Sequence, residues 1–199
     1  MVNLSSEKSF EICMYLLEKR QFTQYSVKKN LKSGMKIVNE IFKYLESKKI
    51  IKKSEKFYEL ADYEGLCLAI SYFRCMNDSL LFSFSSNYSK EQLVKLLPDK
   101  TVFCLETAFE KYNNYYKSNN VFAYVDEHDL FNLKKKLFVK GSKSSLFIFK
   151  KKPLLNEIQI DRKNNSTNLL RTAVDLFCDN KALLGAKLLN QFYKNVVMK

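Results

Sequence analysis

The chain has few of the residues from which many catalytic and metal sites are built. Its 199 residues include one histidine, no tryptophan, 4 glycines and 2 prolines. A zinc site, or a Ser–His or Cys–His nucleophile pair, would have to use His128 alone, inside the acidic segment 126–129. That segment is more simply interpreted as the start of a helix with carboxylates in its first turn. We therefore expect no bound metal and no cofactor.

Cysteine pairs and long apolar runs are also missing. The five cysteines are Cys13, Cys67, Cys75, Cys104 and Cys178. Their number is odd, none is spaced as C-x-x-C, and each lies in an apolar run, which predicts reduced core residues.

The longest apolar stretch, residues 66–73, has eight residues, and a bilayer span needs roughly 20. With acidic Glu7 and Glu11 and no small-residue cleavage site, the N-terminus is unlike a secretory signal. The expected location is cytoplasmic, with no membrane partner.

What the chain has in excess is positive charge. There are 34 lysines and arginines against 21 acidic residues, a formal charge of +13. This excess favours polyanions, nucleic acid first, as partners. A hydrophobic content of 46% allows a real core, and the length suits one domain or two small ones. Because only 4 of the 34 basic residues are arginine, an AT-rich genome would explain the lysine excess equally well, and the distribution of the charge has to decide.

Three helices are predicted in the first 48 residues. Ser5 or Ser6 before an acidic residue marks a helix start, and an apolar face continues to about Arg20. After a break at 21–23, a short second helix covers 25–31, and Ser33-Gly34 provides a turn and cap before a third helix at about 34–48. The apolar residues of that third helix recur at three- and four-residue spacing and predict its buried face.

A basic hairpin follows, with β-prone runs at 50–53 and 57–60 on either side of a polar turn. Three helices followed by such a hairpin is the element order of a winged helix-turn-helix, so residues 1–62 are assigned to a DNA-binding domain of that type. In such modules the third helix lies in the major groove and the hairpin touches the backbone or minor groove. Residues 28–56 hold ten lysines against three glutamates, a local charge of +7. Contact with RNA or with protein remains open as an alternative.

The outer row of the third helix supplies the candidate base contacts, Lys36, Asn39 and Lys43, since asparagine suits adenine and lysine suits guanine acceptors. Phosphate contacts are expected from the neighbouring positions and from the hairpin, where the loss of one weakens binding to all sequences alike. These are Lys28, Lys29, Lys32, Ser33, Lys48, Lys52, Lys53 and Lys56. The alternative for each residue is an ordinary solvated position.

Residues 63–199 are interpreted as a second, α/β domain with a regulatory or interaction role. Residues 63–78 are its connecting helix. Strands are expected at 80–85, 121–125, 146–149 and 158–160, and helices at 89–97, 102–116, 130–137, 168–177 and 182–197. Strands that alternate with helices here, after the helical N-terminal domain, make the whole chain an α+β protein.

Short motifs in this second domain resemble the AbiEi-type family, the antitoxins and transcriptional regulators of type IV toxin–antitoxin systems. The run 174–177 (VDLF), followed by Ala182 and by 185–189 (GAKLL), resembles the family's ending, and 102–109 resembles its helix with a Thr-Ala pair. With the N-terminal winged helix, the resemblance covers most of the chain. It implies an antitoxin-type autoregulator whose C-terminal domain looks like a degenerate nucleotidyltransferase.

An active enzyme of that fold needs a Gly-Ser turn and two carboxylates one residue apart on a strand, both facing a Mg²⁺ ion. The chain offers Gly141-Ser142, but the later run is Glu157, Gln159 and Asp161, with glutamine at the second position. On a strand, Glu157 and Asp161 would lie about 13 Å apart at roughly 3.3 Å per residue, too far for one metal. We therefore expect that the chain is not an enzyme. The competing interpretation, a nucleotidyltransferase-like enzyme acting on nucleic acid, requires Glu157, Asp161 and Asp175 to converge.

A second basic patch lies within residues 134–152, which include no acidic residue. Its members are Lys134, Lys135, Lys136, Lys140, Lys143, Lys150, Lys151 and Lys152. It either extends the DNA footprint, binds RNA or is an ordinary solvated surface. The tyrosine- and asparagine-rich stretch 112–120 either stacks single-stranded bases or is a helix end and loop. An RNA-binding accessory protein is therefore a further alternative.

The sequence thus predicts a sequence-specific regulator of transcription that binds double-stranded DNA, with a cognate toxin or another protein as a further partner. A dimer would double the phosphate contacts and match a palindromic site. We expect a homodimer formed through residues 63–76 or through the last helix.

Overall fold

The computed structural model describes residues 2–4, 6–137, 139–151, 155 and 157–197. Within this part the chain is a mixed α+β protein with nine α-helices and two sheets. A three-stranded sheet belongs to the first sixty residues and a six-stranded sheet to the remainder. Among the described residues, no helix combines the length and the apolar character that crossing a membrane requires.

The first sixty residues form three helices and a small antiparallel sheet. The helices are α1 (Glu7–Lys19), α2 (Gln24–Leu31) and α3 (Met35–Ser47), and the strands are β1 (Gln21–Phe22), β2 (Ile51–Lys53) and β3 (Tyr58–Leu60). Strand β3 lies between β1 and β2 and is antiparallel to both. The three predicted helices and the predicted hairpin are confirmed, and the predicted break at 21–23 contains the strand that completes the sheet.

Side-chain caps fix where the first two helices begin. Ser6 accepts a hydrogen bond from the Ser9 amide at the start of α1; Ser5, the other predicted cap, lies outside the described residues. Thr23 and Ser26 form a reciprocal capping box on α2. The helix ends at Leu31, and its C-cap residue Lys32 has a left-handed φ of 49°. Residues 32–34 therefore make a short turn that leads into α3.

The remainder of the chain alternates helices with the strands of the larger sheet. Its helices are α4 (Tyr63–Ser71), α5 (Lys90–Leu96), α6 (Leu105–Tyr112), α7 (Leu130–Lys136), α8 (Leu169–Cys178) and α9 (Ala182–Val197). Its strands are β4 (Leu80–Ser86), β5 (Val102–Phe103), β6 (Val121–Val125), β7 (Ser144–Lys150), β8 (Ile160–Asp161) and β9 (Ser166–Thr167). The strand order is β4-β7-β6-β5-β9-β8, with β6/β7 and β5/β9 parallel and the other pairs antiparallel.

Strand β6 is buried along its whole length, as its β-branched and aromatic composition predicted. Because side chains alternate along a strand, Val121, Ala123 and Val125 face one hydrophobic cluster, which includes residues of α5 and α7. Phe122 and Tyr124 face the other, larger cluster. The sheet is therefore covered on both faces.

The larger cluster is continuous across residue 62. It contains residues of α1, α4, α6, α8 and α9 together. Phe10 of α1 lies between two arginines, with the Arg74 Cζ at 4.5 Å and the Arg171 Cζ at 4.8 Å from its ring centroid. The Tyr193 hydroxyl of α9 donates to the Leu17 carbonyl at 2.7 Å. Residues 1–62 and 63–199 thus share a core, and the division into two domains stays a prediction.

Two boundaries were predicted wrongly because tertiary contacts outweigh local periodicity. The helix expected at 63–78 ends at Ser71, followed by a 3₁₀ turn at Met76–Ser79. Between them Phe73 packs on Tyr44 and Arg74 turns inward to Phe10. The helix expected from 102 to 116 begins with a strand instead, because β5 pairs with both β6 and β9, and α6 then covers only Leu105–Tyr112.

Two further expectations, for residues 158–160 and for the cysteines, differ from the structure. The strand expected at 158–160 is a 3₁₀ turn, Glu157–Gln159, followed by the two residues of β8. Gln159 turns into the protein and accepts a hydrogen bond from Arg171, whereas Ile158 faces solvent. Four of the five cysteines are buried as expected, but Cys75 is exposed.

Candidate nucleic-acid interface

Helix α3 is amphipathic along its whole length. Its inner face is buried and consists of Val38, Ile41, Phe42 and Leu45. Three- and four-residue spacing places the exposed residues Lys36, Glu40, Lys43 and Ser47 in one outer stripe. Phe42 makes edge-to-face contacts with Phe22 of β1 and Tyr58 of β3, at centroid distances of 5.6 and 4.8 Å. These rings fix the orientation of the outer stripe relative to the small sheet.

The three predicted base contacts differ in accessibility. Lys36 and Lys43 are exposed on the outer stripe. Asn39 is half-buried, and its Oδ1 is enclosed with no hydrogen-bond partner among the described residues. Bidentate recognition of adenine uses both the oxygen and the nitrogen of an asparagine amide, so Asn39 has to rotate before it can make that contact.

Of the predicted phosphate contacts, the seven lysines are exposed and the serine is not. Those lysines are Lys28, Lys29, Lys32, Lys48, Lys52, Lys53 and Lys56. Ser33 is buried, its amide donates to the Lys28 carbonyl at 3.2 Å, and its hydroxyl lies 3.5 Å from the Leu31 carbonyl. The turn between α2 and α3 therefore presents Lys32 to solvent and holds Ser33 beneath the surface.

The ten lysines of residues 28–56 share one property: all are exposed, and none forms an ion pair with any described residue. They are the seven lysines above with Lys36, Lys43 and Lys49. We call them the N-terminal lysine set. The three glutamates of the same segment are also exposed and, within the described part, form no ion pair. The positive charges of this surface are therefore not held in ion pairs within the described part, although Glu40 lies between Lys36 and Lys43 and Glu59 lies opposite Lys52 in the hairpin.

The second basic patch is different. Lys150 pairs with Glu127 at 2.9 Å, and Lys151 lies 3.9 Å from Asp126 and donates to the Lys100 carbonyl. Five of its lysines are exposed: Lys134, Lys135, Lys136, Lys140 and Lys143. Lys152 lies outside the described residues. Asp126 and Glu127 precede the run in the sequence, and the parallel pairing of β6 with β7 brings them beside its end.

A buried polar network, which sequence reasoning missed, lies under the larger sheet. The fully buried Arg171 donates to Asp175 Oδ1 at 2.8 Å, to Gln159 Oε1 at 2.6 Å and to the Tyr124 hydroxyl at 3.0 Å. The Tyr124 hydroxyl in turn donates to Asp175 Oδ2 at 3.0 Å. The four-residue spacing of Arg171 and Asp175 within an apolar helix was a signal that could have revealed the pair.

Burial and pairing act in opposite directions on this network. Burial by itself disfavours the charged guanidinium, but Asp175 and Tyr124 hold the pKa of Arg171 above its ordinary value. Burial also raises the pKa of the Tyr124 hydroxyl, which remains a neutral donor. The network is therefore a satisfied internal ion pair, and its groups are committed to one another.

The carboxylates that an enzyme would need serve three separate contacts. Glu157 pairs with Arg162 on the surface at 3.2 Å, and Asp161 accepts from Asn164 Nδ2 at 2.7 Å. Asp175 belongs to the buried network. Within the described ranges, no group of three or more His, Cys, Asp or Glu side chains is arranged to hold a metal ion. Gly141-Ser142 lies in a loop, where the Ser142 amide donates to Asn87 Oδ1 at 3.3 Å.

The tyrosine-rich stretch presents one ring of the two that were considered for base stacking. Tyr115 is fully exposed in the loop after α6. The Tyr116 hydroxyl donates to Glu106, and its ring packs edge-to-face on Phe109 at 5.2 Å. Tyr116 is thus held by contacts within the protein. Of the two adjacent tyrosines, Tyr115 is the one whose ring is exposed for stacking on a base.

No family model, no curated protein and no solved structure matches the chain. Its function therefore has to be inferred from the geometry and charge of its own surfaces.

Proposed function

We propose that the chain is a sequence-specific, double-stranded DNA-binding transcriptional regulator whose first 62 residues act as a winged helix-turn-helix. The observation that carries this proposal is the N-terminal lysine set, ten exposed cations without ion pairs in the described part of the chain. Each lysine that meets a phosphate releases condensed counterions, and this release is the main source of sequence-independent affinity for DNA.

The order of elements supports this docking mode. Helix, strand, helix, helix and hairpin, with β3 central in the small sheet, suit a module whose third helix enters the major groove. Lys36 and Lys43 are seven residues apart, about 10.5 Å along the axis at 1.5 Å per residue. At about 3.4 Å per base pair, the outer stripe of α3 spans about three base pairs.

Glu40 favours specific over indiscriminate binding. It lies on the outer stripe between the two lysines, where its carboxylate repels phosphates and lowers affinity for random DNA. A carboxylate also accepts a hydrogen bond from the amino group of cytosine in the major groove. We expect Glu40→Ala to raise affinity for random duplexes and to reduce the preference for the selected site.

The AbiEi-type resemblance supports an autoregulatory role in the cytoplasm. In that case residues 63–199 supply regulation and partner contacts without catalysis. The five exposed lysines of the second basic patch extend the electrostatic footprint beyond the N-terminal lysine set.

The test uses the full chain with four probes: a selected duplex, a random duplex, single strands and structured RNA, each at several salt concentrations. The variant Lys36→Ala with Lys43→Ala is compared with Lys95→Ala with Lys111→Ala, which removes the same charge from exposed positions on α5 and α6. We expect the first variant to lose about 1–3 kcal/mol for each specific base contact. The control keeps the preference for the selected site.

Equal losses in the two variants would contradict the assignment of α3. Tighter binding to single strands or RNA, lost on Tyr115→Ala, would move the function to the C-terminal part of the chain. Mg²⁺-dependent nucleotide turnover abolished by Glu157→Ala would instead establish an enzyme.

A further inference from the structure

Arg74 is a buried cation without a counter-charge among the described residues. Its side chain is 8% exposed, and its Nε is enclosed without a hydrogen-bond partner. Within the described part of the chain it forms no ion pair and no side-chain hydrogen bond, and its Cζ lies 4.5 Å from the centroid of the Phe10 ring. Stacking on a ring covers one face of a guanidinium but leaves its N–H donors without acceptors. Because an unpaired charge is costly to bury, Arg74 lacks the partner that its burial calls for.

The two terminal nitrogens of Arg74 are the part of the group that reaches the surface. Nε is enclosed, whereas Nη1 and Nη2 are not among the enclosed atoms without a partner. Since these two nitrogens also form no hydrogen bond with a described residue, they retain contact with solvent. An arginine presents these two N–H groups side by side, in the spacing that matches two oxygens of a carboxylate or a phosphate.

The carboxylate nearest to this group is already used. Phe10 lies between Arg74 and Arg171, and the Arg171 Cζ is 4.8 Å from the same ring centroid. Asp175 accepts from Arg171 Nε through Oδ1 and from the Tyr124 hydroxyl through Oδ2. Two guanidinium groups therefore share one carboxylate here, and one positive charge is left without a counter-charge.

Other acidic residues near Arg74 along the chain, or on the helices around Phe10, do not supply the missing charge. Glu7 and Asp78 are exposed and form no ion pair within the described ranges. Glu11 and Asp179 are paired with lysines at 2.7 and 2.6 Å. The counter-charge for Arg74 therefore has to come from outside this set of side chains.

We propose that Arg74 binds a small oxyanion, a phosphate or a carboxylate, through its two terminal nitrogens at the seam between α1 and the turn that follows α4. An oxyanion supplies both the hydrogen-bond acceptors and the missing negative charge, whereas water supplies acceptors alone. The Phe10 ring excludes water from one face of the guanidinium, which strengthens the attraction. Arg74 is not a member of the N-terminal lysine set, so this site does not depend on the proposed DNA binding.

A bound oxyanion would stabilise the contact between the first helix and the rest of the chain, because Phe10 belongs to α1 and Arg74 follows α4. One arginine fork and a ligand of four or five heavy atoms predict a modest affinity, with a Kd of about 1 mM. An anion that binds the folded chain alone raises its melting temperature in a saturable way. At 20-fold excess over that Kd we expect a rise of about 4–7 °C.

Thermal unfolding and isothermal titration calorimetry of the full chain test the proposal, with inorganic phosphate and acetate as separate probes. Each probe replaces chloride at constant ionic strength, because a chain of charge +13 gathers anions non-specifically. Arg74→Met removes the guanidinium and keeps most of the volume. Arg20→Met is the matched control, because the Arg20 Cζ also lies 4.5 Å from a ring, that of Tyr193, and Arg20 also has no ion pair with a described residue, but it is less buried.

Wild type and Arg20→Met are expected to show the same saturable stabilisation, and Arg74→Met at least tenfold weaker binding. Arg74→Lys keeps the charge without the planar fork, so it is expected to bind about tenfold more weakly than wild type. It also provides the comparison if Arg74→Met does not fold, which circular dichroism shows. A stronger response to phosphate than to acetate assigns the site to phosphate-type ligands, and the opposite order assigns it to carboxylates.

Two results would overturn the proposal. The first is a wild-type chain that shows no saturable response to either probe. The second is a response in Arg74→Met, or in Arg74→Lys where that variant replaces it, that equals the response of wild type and of Arg20→Met. In that case the anions act on the net charge of the chain and not on Arg74.

Discussion

Two lysine-rich segments of the chain have different electrostatic environments. The second, residues 134–152, has no acidic residue of its own, whereas residues 28–56 include three glutamates. In the fold two lysines of the second segment are paired, Lys150 with Glu127 and Lys151 with Asp126. Its five exposed lysines and all ten lysines of residues 28–56 form no ion pair with a described residue. Charge along a sequence is therefore a poor measure of charge at a surface, because the fold decides which carboxylates are near.

The contrast between paired and unpaired charges is greatest in the interior, where we expect the largest effect. Asp175→Ala leaves the buried Arg171 guanidinium without its carboxylate, and removal of one partner of a buried ion pair costs about 3–5 kcal/mol. Urea denaturation monitored by circular dichroism measures the free energy of unfolding. The double variant Arg171→Met with Asp175→Leu should lose less, since it leaves no unpaired charge. If Asp175→Ala lowered the free energy of unfolding as little as the loss of a surface ion pair does, the contrast between buried and exposed charges would not hold.

The next prediction tests the N-terminal lysine set against the second patch. Lys52→Ala, Lys53→Ala and Lys56→Ala together should lower the slope of log affinity against log salt by about 2.7, at about 0.9 per phosphate contact, and the affinity for duplex DNA by two to three orders of magnitude near 0.1 M salt. Filter binding or fluorescence anisotropy over a salt series measures both quantities.

The control for that triple variant is Lys134→Ala, Lys135→Ala and Lys136→Ala, which removes three exposed lysines from α7. It should change the slope by less. An equal change in slope for the two triple variants would show that both segments contact DNA and would end the distinction between them.

The buried cysteine thiols make the stability of the interior depend on pH in the alkaline range. Burial raises the pKa of the Cys13 thiol from 9.0 to about 12, and burial raises that of Cys178 to about 12 as well. Between about pH 9 and 12 the unfolded chain therefore binds fewer protons than the folded chain, so stability falls as pH rises. Each such thiol contributes a slope of at most about 1.4 kcal/mol per pH unit. Denaturation midpoints across this range should fall less steeply in Cys13→Val than in wild type.

The smallest expected effect comes from removing the acidic partners of the second lysine-rich segment, which leaves its lysines unpaired like those of residues 28–56. Asp126→Ala with Glu127→Ala removes the carboxylates that lie near Lys151 and Lys150. Partly exposed ion pairs contribute about 0–1 kcal/mol, so stability should change little. Affinity for random duplex DNA should rise a few-fold, with a steeper salt dependence. An unchanged affinity would indicate that this surface does not meet nucleic acid even when its lysines are unpaired.

Local signals predicted the parts of the fold that short-range physics determines. Ser6, Thr23, Ser89 and Asn168 cap helices close to where the sequence indicated. The predictions failed where distant contacts decide, as at Ser71, where α4 ends so that Arg74 can reach Phe10.

The features of the candidate site also separate into those that local sequence predicted and those that it did not. Lysine spacing on α3 and the hairpin indicated which residues reach the surface. The burial of Ser33, the enclosed Oδ1 of Asn39 and the pairing of Lys150 all depend on neighbours that are remote in the sequence or on the shape of a turn. No pattern in one sequence specifies those neighbours.

The position of Phe10 between Arg74 and Arg171 has an evolutionary consequence. Its ring belongs to α1, but both guanidinium groups that cover it come from beyond residue 62. Recombination that joins residues 1–62 to an unrelated C-terminal half would leave that ring, and the apolar face around it, without a matching surface. New recognition properties in this lineage are therefore expected to arise by point substitution along the outer stripe of α3, and not by exchange of the N-terminal segment between genes.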